Sequence, residues 1–257
     1  MKKLIIALLL FTSVKVYSQA NFSRIGVGIN GVITAAYTGL TFGISDLPGL
    51  AGFNAKKGIT TNKSKVIGGS LDYYFTPFII GGIEYNQVQL KDGPDKHNRA
   101  FISDFSSIEI RGNVAVGQFI DFSYSPFLYA IRNVNAGFGI GFISGKNNVL
   151  PYDATKLVSD PDPYPRRMHA NDLGKSEFSS VISLPLSVGY NLNLYNAYQE
   201  VKFVIGFNYK MVFTSSDDLD GFADDASVGF QNNAKDVYTS YGISLKYLFG
   251  PTGLYFK

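Results

Sequence analysis

The sequence predicts an all-β chain: a transmembrane antiparallel up-and-down β-barrel of eight strands, or of ten if residues 34–64 contribute a hairpin. Three observations carry this. Eight segments of about ten or more residues alternate apolar with small or polar side chains. The connections between them alternate in length. The non-apolar face of each segment is mostly Gly, Ser and Asn, not the Lys, Glu and Thr of a sheet that faces water.

The segments follow in order. Ile25, Val27, Ile29 and Ile33 alternate with Arg24, Gly26, Gly28 and Asn30. Ile67, Leu71, Tyr73 and Phe75 alternate with Gly68, Ser70 and Asp72, and Thr76-Pro77 reverses the chain. Ile79, Ile83 and Tyr85 stand against Gly82, Glu84 and Asn86; Ile108, Ile110, Val114 and Val116 against Ser107, Glu109, Arg111 and Asn113. The fifth segment sets Val134, Ala136, Phe138, Ile140 and Phe142 against Asn133, Asn135 and three glycines. The sixth runs Ile182 to Leu192, with Ser183, Ser187, Gly189 and Asn191 on its other face. The seventh sets Val201, Phe203, Ile205, Phe207, Tyr209, Met211 and Phe213 against Lys202, Gly206, Asn208 and Lys210. The last sets Tyr241, Ile243, Leu245 and Tyr247 against Ser240, Gly242, Ser244 and Lys246.

Short connections fall at Thr76-Pro77, Phe119 to Ile131, and Tyr195 to Ala197; long ones at 34–64, 92–103, 146–177 and 215–235. Short turns on one rim and long loops on the other place both barrel termini on the short-turn side. The stretch 119–131 is long enough for a short helix or a strand extension.

A narrow barrel is filled by its own side chains. The small-residue face therefore points inward and the apolar face meets lipid. The inward charges are then Arg24, Asp72, Glu84, Glu109, Arg111, Lys202, Lys210 and Lys246, expected to pair in the lumen, with Arg111, Glu109 and Glu84 at the centre. Aromatics cluster at segment ends: Tyr73, Tyr74, Phe75 and Phe78; Tyr190, Tyr195 and Tyr198; Tyr247 and Phe249. They are expected to form an interfacial girdle.

Met1-Lys2-Lys3, an apolar run from Leu4 to Val14, and Val16-Tyr17-Ser18 read as an export signal over 1–18, or cut after Ala20, with the barrel domain at 19–257. The run is too short to cross about 30 Å of hydrocarbon. The chain has 23 basic and 20 acidic side chains; without Lys2, Lys3 and Lys15 there are 20 of each, which gives no footprint for nucleic acid. Absence of cysteine excludes disulfides, thiolate metal sites, a Cys nucleophile and a lipoprotein anchor.

Ser240, Gly242, Leu245 and Tyr247, followed by Phe249, resemble the C-terminal β-signal of outer-membrane barrels: polar, any, Gly, two of any, apolar, any, aromatic. The tail from Gly250 to Lys257 departs from members that stop at the aromatic residue. From the leader to Phe249 the chain resembles the small outer-membrane proteins akin to the OmpA membrane domain, and Ser183 to Tyr190 resembles the form common in Bacteroidota. The resemblance implies insertion by the barrel-assembly machinery, contact with outer-membrane lipid and lipopolysaccharide, periplasmic termini and extracellular loops. It implies no shared catalytic residue and no cofactor.

Other features read as follows. Gly26-Val27-Gly28-Ile29-Asn30-Gly31 has the dinucleotide spacing G-x-G-x-x-G but lies inside a strand without a following helix. Asp217, Asp218, Asp220, Asp224 and Asp225 could hold Ca²⁺ but lack EF-hand spacing. His97 and His169 fall in long loops near Ser103 and Asp104, and near Asp172 and Ser176. A hydrolase at the rim would use such pairs. Asp160 to Arg167, with three prolines, a tyrosine and two arginines, suits a partner-binding or a merely solvated loop. The leading expectation is a non-enzymatic envelope protein that displays loops, either structural or adhesive or an accessory subunit of a secretion or uptake complex binding other envelope proteins. The alternatives are a narrow channel and a rim-located lipid A or peptide hydrolase.

Overall fold

The computed structural model describes residues 19–37, 64–92, 99–123, 125–151, 174–216, 219 and 235–256. Eight strands follow one another: β1 Gln19–Tyr37, β2 Ser64–Tyr74, β3 Ile79–Asp92, β4 Arg99–Ala115, β5 Val134–Pro151, β6 Gly174–Tyr195, β7 Val201–Thr214 and β8 Val237–Phe256. Each pairs antiparallel with its neighbours in sequence, and β8 returns to β1, so the sheet closes with eight strands and not ten. Among the described residues no helix is long and apolar enough to cross a membrane, which says nothing against crossing by strands.

The rims are unequal. Residues 75–78, 116–133 and 196–200 join strands at the end where Gln19 lies beside Phe256. The stretch 119–131 resolves into a helix, α1 Pro126–Ile131, preceded by a 3-10 turn at Val116–Gln118. Proline opens α1, and the Ser125 hydroxyl accepts from the Leu128 amide at 3.4 Å. On the other rim the strands run further into the long connections than their pattern indicated, β5 to Pro151 and β6 from Gly174.

The period-two pattern becomes an apolar exterior. Ile29, Ile67, Ile110 and Phe138, from β1, β2, β4 and β5, are 68%, 71%, 63% and 72% exposed, and apolar residues of all eight strands stand outward with them. A water-soluble domain does not leave a continuous band of this kind uncovered. Tyr73, Phe75, Tyr195, Tyr198, Tyr247 and Phe249 also face outward near the short-turn rim. The expected girdle is corrected at Tyr74 and Phe78, which are buried inside the barrel; they follow the other parity of the chain.

The inner face is not uniformly small and polar, which corrects a second expectation. Towards the long-loop end it carries an apolar cluster that includes Val88, Leu90, Phe101, Phe105, Phe178 and Tyr238. Towards the short-turn end Phe22, Tyr74, Ile80, Val204 and Leu248 form another. β-Bulges help, because one extra residue reverses which face the next side chain joins. Lys202 is the extra residue between Val201 and Phe203, so Val201, expected outside, packs on the inner cluster. Another irregularity lies in β6 between Phe178 and Val181, where Ser180 takes a φ of 61°. Both flanking residues are buried.

Between these clusters the wall is made close by glycine. A Cβ on Gly137 would lie 1.8 Å from Asn113 Oδ1, on Gly68 2.2 Å from Asn86 Oδ1, and on Gly82 2.3 Å from Asp72 Oδ1. Missing side chains on one strand make room for the polar groups of the next.

Candidate functional site

The space left by those glycines holds six charges from five strands: Asp72 of β2, Glu84 of β3, Glu109 and Arg111 of β4, Lys210 of β7 and Lys246 of β8. Lys246 Nζ lies 2.5 Å from Asp72 Oδ2, and Arg111 Nη2 lies 2.8 Å from Asp72 Oδ1. Lys210 Nζ donates to Glu84 Oε1 and to Glu109 Oε2, each at 2.8 Å. Arg111 Nε is 3.1 Å from Glu84 Oε2, close enough to attract but out of line for a hydrogen bond. Three carboxylates face three cations, so the cluster is neutral as a whole.

Desolvating each charge costs several kcal/mol, and ion pairing offsets this only where the remaining lone pairs are also satisfied. Here they are. Asn30 and Asn86 both donate to Glu84 Oε1 at 3.0 Å, and Ser107 donates to Glu109 Oε1 at 3.2 Å. A cavity of about 60 Å³ adjoins the cluster between Asn30, Ser187, Asn208 and Ser244, and another of about 40 Å³ lies below it among Tyr74, Asn113, Asn135 and Asn191. Polar spaces of that size hold a few waters.

The arrangement differs in detail from the expectation. Arg111 engages Asp72 and Glu84, while Glu109, two residues before it on β4, is held by Lys210 across the lumen. Two expected members lie elsewhere. Arg24 donates to the Tyr73 hydroxyl at 3.1 Å, with its guanidinium 5.7 Å from the Phe22 ring. Lys202, displaced by its bulge, pairs with Glu200 at 3.2 Å beside the third short turn. Asn30, Asn86 and Ser107 were legible as inward-facing, but nothing in their local sequence marks them as carboxylate partners.

The remaining candidates separate. Gly26 to Gly31 lie wholly within β1, and a Cβ on Gly28 would stand 2.8 Å from Lys246 Cγ, so this glycine serves the packing around the cluster. Ser103 is fully buried and donates to Asn147 Oδ1 at 2.7 Å, whereas Asp104 accepts from Gln89 on the exposed face. Neighbours on a strand point to opposite faces, so the two do not converge on one reacting atom. His97, His169, Asp172, the run from Asp160 to Arg167, and Asp217, Asp218, Asp220, Asp224 and Asp225 lie outside the described residues, as does the leader. The side chain of Ser176 is likewise not described. In β8, Ser240 is buried, whereas Leu245, Tyr247 and Phe249 face outward; the strand continues through Gly250, at a φ of 85°, to pair Phe256 with Gln19.

No family model matches the chain, and no curated protein does. Among solved structures it is similar to Neisserial surface protein A, at 12% identity over 88% of this chain and 97% of that one, with a TM-score of 0.44. It is also similar to Ail, the attachment invasion locus protein of Yersinia pestis, at 10% identity over 88% and 99%, with a TM-score of 0.43. The outer membrane protein OprG from Pseudomonas aeruginosa gives 9% identity over 92% and 100%, with a TM-score of 0.30.

Proposed function

We propose that this chain is a non-enzymatic barrel of the bacterial outer membrane that displays its long loops on the cell surface and conducts no solutes through its lumen. The observation that carries the reading is the inversion of polarity: aliphatic and aromatic residues stand outward on every strand, while six charges lie within, four of them buried and two half-buried. Only a solvent of hydrocarbon makes the first favourable, and only a closed interior makes the second tolerable. The charged layer between two apolar clusters supports a plug over a pore. Exported by residues 1–18, the barrel would be inserted by the assembly machinery through the signal at Ser240 to Phe249, with termini in the periplasm. The resemblance at Ser183 to Tyr190 supports the form of this family common in Bacteroidota. Lipopolysaccharide and other envelope proteins are its partners in this reading, as a structural or adhesive element or an accessory subunit.

The test combines three measurements on the full chain. Purified protein should require detergent or lipid to stay in solution, migrate faster on gels when unheated, and give no discrete current steps in planar bilayers. Monomeric solubility without detergent would overturn the membrane reading. Regular conductance steps that persist in a folded Lys202→Met control would overturn the plug.

A further inference from the structure

The short helix on the narrow rim is composed wholly of apolar residues, Pro-Phe-Leu-Tyr-Ala-Ile, and none of them is buried. Its tip residue Phe127 is 69% exposed, and Phe119, earlier in the same connection, is 78% exposed. A rim helix facing water would carry polar side chains on its free surface. This one has none to offer.

Its attachment shows where it lies. Tyr190 occupies the outward parity of β6, opposite Val134, the first residue of β5. The hydroxyl of Tyr190 donates to the carbonyl of Ala130 at 3.1 Å. Arg132, just past the helix, donates to the hydroxyl of Tyr195 at 3.0 Å and stacks on the Tyr129 ring with 3.5 Å to its centroid. Tyr190, outward on β6, and Tyr195 at the rim end of the same strand thus pin α1 at the short-turn rim, beside the lower end of the apolar band.

We infer that α1 and the segment before it form a lipid-binding foot, seated in the phospholipid leaflet at the short-turn rim with Phe119 and Phe127 at the boundary of headgroups and acyl chains. The inference rests on the membrane-spanning reading. A short apolar segment at that boundary sinks about 5–10 Å, with its polar ends left in the headgroups. Arg132 and the Ser125 cap supply those ends. Such a foot fixes the height and tilt of the barrel on its periplasmic side.

The chain contains no tryptophan, so Phe127→Trp introduces a single reporter at an exposed position. The full chain is refolded into phosphatidylcholine vesicles whose acyl chains carry bromine near the headgroup or near the methyl end. Unheated gel migration checks that each variant has folded. The fluorescence of Phe127→Trp should be quenched about twofold more by shallow than by deep bromine, and little by aqueous iodide. Phe119→Trp should behave alike. Phe138→Trp, in the wall, should be quenched by deep bromine. Quenching of both rim reporters by iodide and not by bromine would overturn the foot while leaving the barrel in the membrane. Shielding from iodide and bromine together would also overturn it, because protein would then cover the face. Loss of bromine quenching at Phe138→Trp would instead overturn the spanning reading itself.

Discussion

Replacing Lys210 by Met puts the lumen cluster under its most direct strain. The ammonium bridges Glu84 and Glu109 at 2.8 Å each, and both carboxylates are buried, Glu109 to 1% exposure. Methionine fills a similar volume but leaves two like charges facing each other, with Glu84 retaining Arg111 at 3.1 Å and Glu109 retaining the Ser107 hydroxyl. Breaking a buried ion pair by removing one partner costs about 3–5 kcal/mol, because the other charge stays desolvated. Since about 1.4 kcal/mol is a factor of ten, the folded population relative to unfolded should fall by about two to three and a half orders of magnitude. Adding Glu84→Gln and Glu109→Gln removes the uncompensated charge and should restore most of the loss. Urea-driven unfolding in lipid vesicles, followed by gel migration and far-ultraviolet circular dichroism, reads both. Lys202→Met, which breaks a half-exposed, solvent-screened pair with Glu200, should stay near wild type. A Lys210→Met barrel within experimental error of wild type would show that the lumen charges are solvated independently, and the reasoning would fall.

Three further outcomes follow from the same geometry. Gly137→Val should destabilise the barrel by about 1–3 kcal/mol, because its Cβ would lie 1.8 Å from Asn113 Oδ1; outward Gly112→Ala, with nothing within 4 Å, should stay near wild type in the same urea titration. Phe138→Arg on the lipid face should cost about 2–4 kcal/mol and Ser144→Arg, nearer the long-loop rim of β5, at most about 1, read as the difference in unfolding midpoint. In the third short turn, Asn196 caps the backbone of Tyr198 and Glu200, and hydrogen bonds from Lys202 and then Asn196 hold the Glu200 carboxyl below its usual range. A lowered pKa stabilises above the unfolded value and is lost as pH falls through the folded one, so the stability difference between wild type and Glu200→Gln should vanish on acidification below the ordinary carboxylate range.

How much was legible depended on whether a property is local. Which face a residue joins is set by parity, so Asp72, Glu84, Glu109, Arg111, Lys210 and Lys246 were placed in the lumen from their neighbours alone. Parity fails at an inserted residue, and nothing about Lys202 or Ser180 announces a bulge; hence the misplacement of Val201 and Lys202. Tyr74 and Phe78 share the aromatic content of a girdle but not its phase, and so are buried inside. Partner choice is legible between adjacent strands, as for Arg111 and Glu84, and not beyond them. Arg111 finds Asp72 because both pair with Gly82 of the intervening β3, whose missing side chain lets them meet, a property of the register and not of either segment. Within 119–131, open between a helix and a strand extension, the structure has a helix over Pro126–Ile131, opened by its proline and capped by Ser125.

The long chain separations within the cluster have a kinetic side. Lys246 meets Asp72 across 174 positions and Lys210 meets Glu84 across 126, so neither contact exists until the last strands arrive. An unfinished sheet would hold bare carboxylates beside hydrocarbon, or bare hydrocarbon beside water. Neither solvent shelters the intermediate, and so entry into the bilayer and closure of the wall are bound to happen as one event.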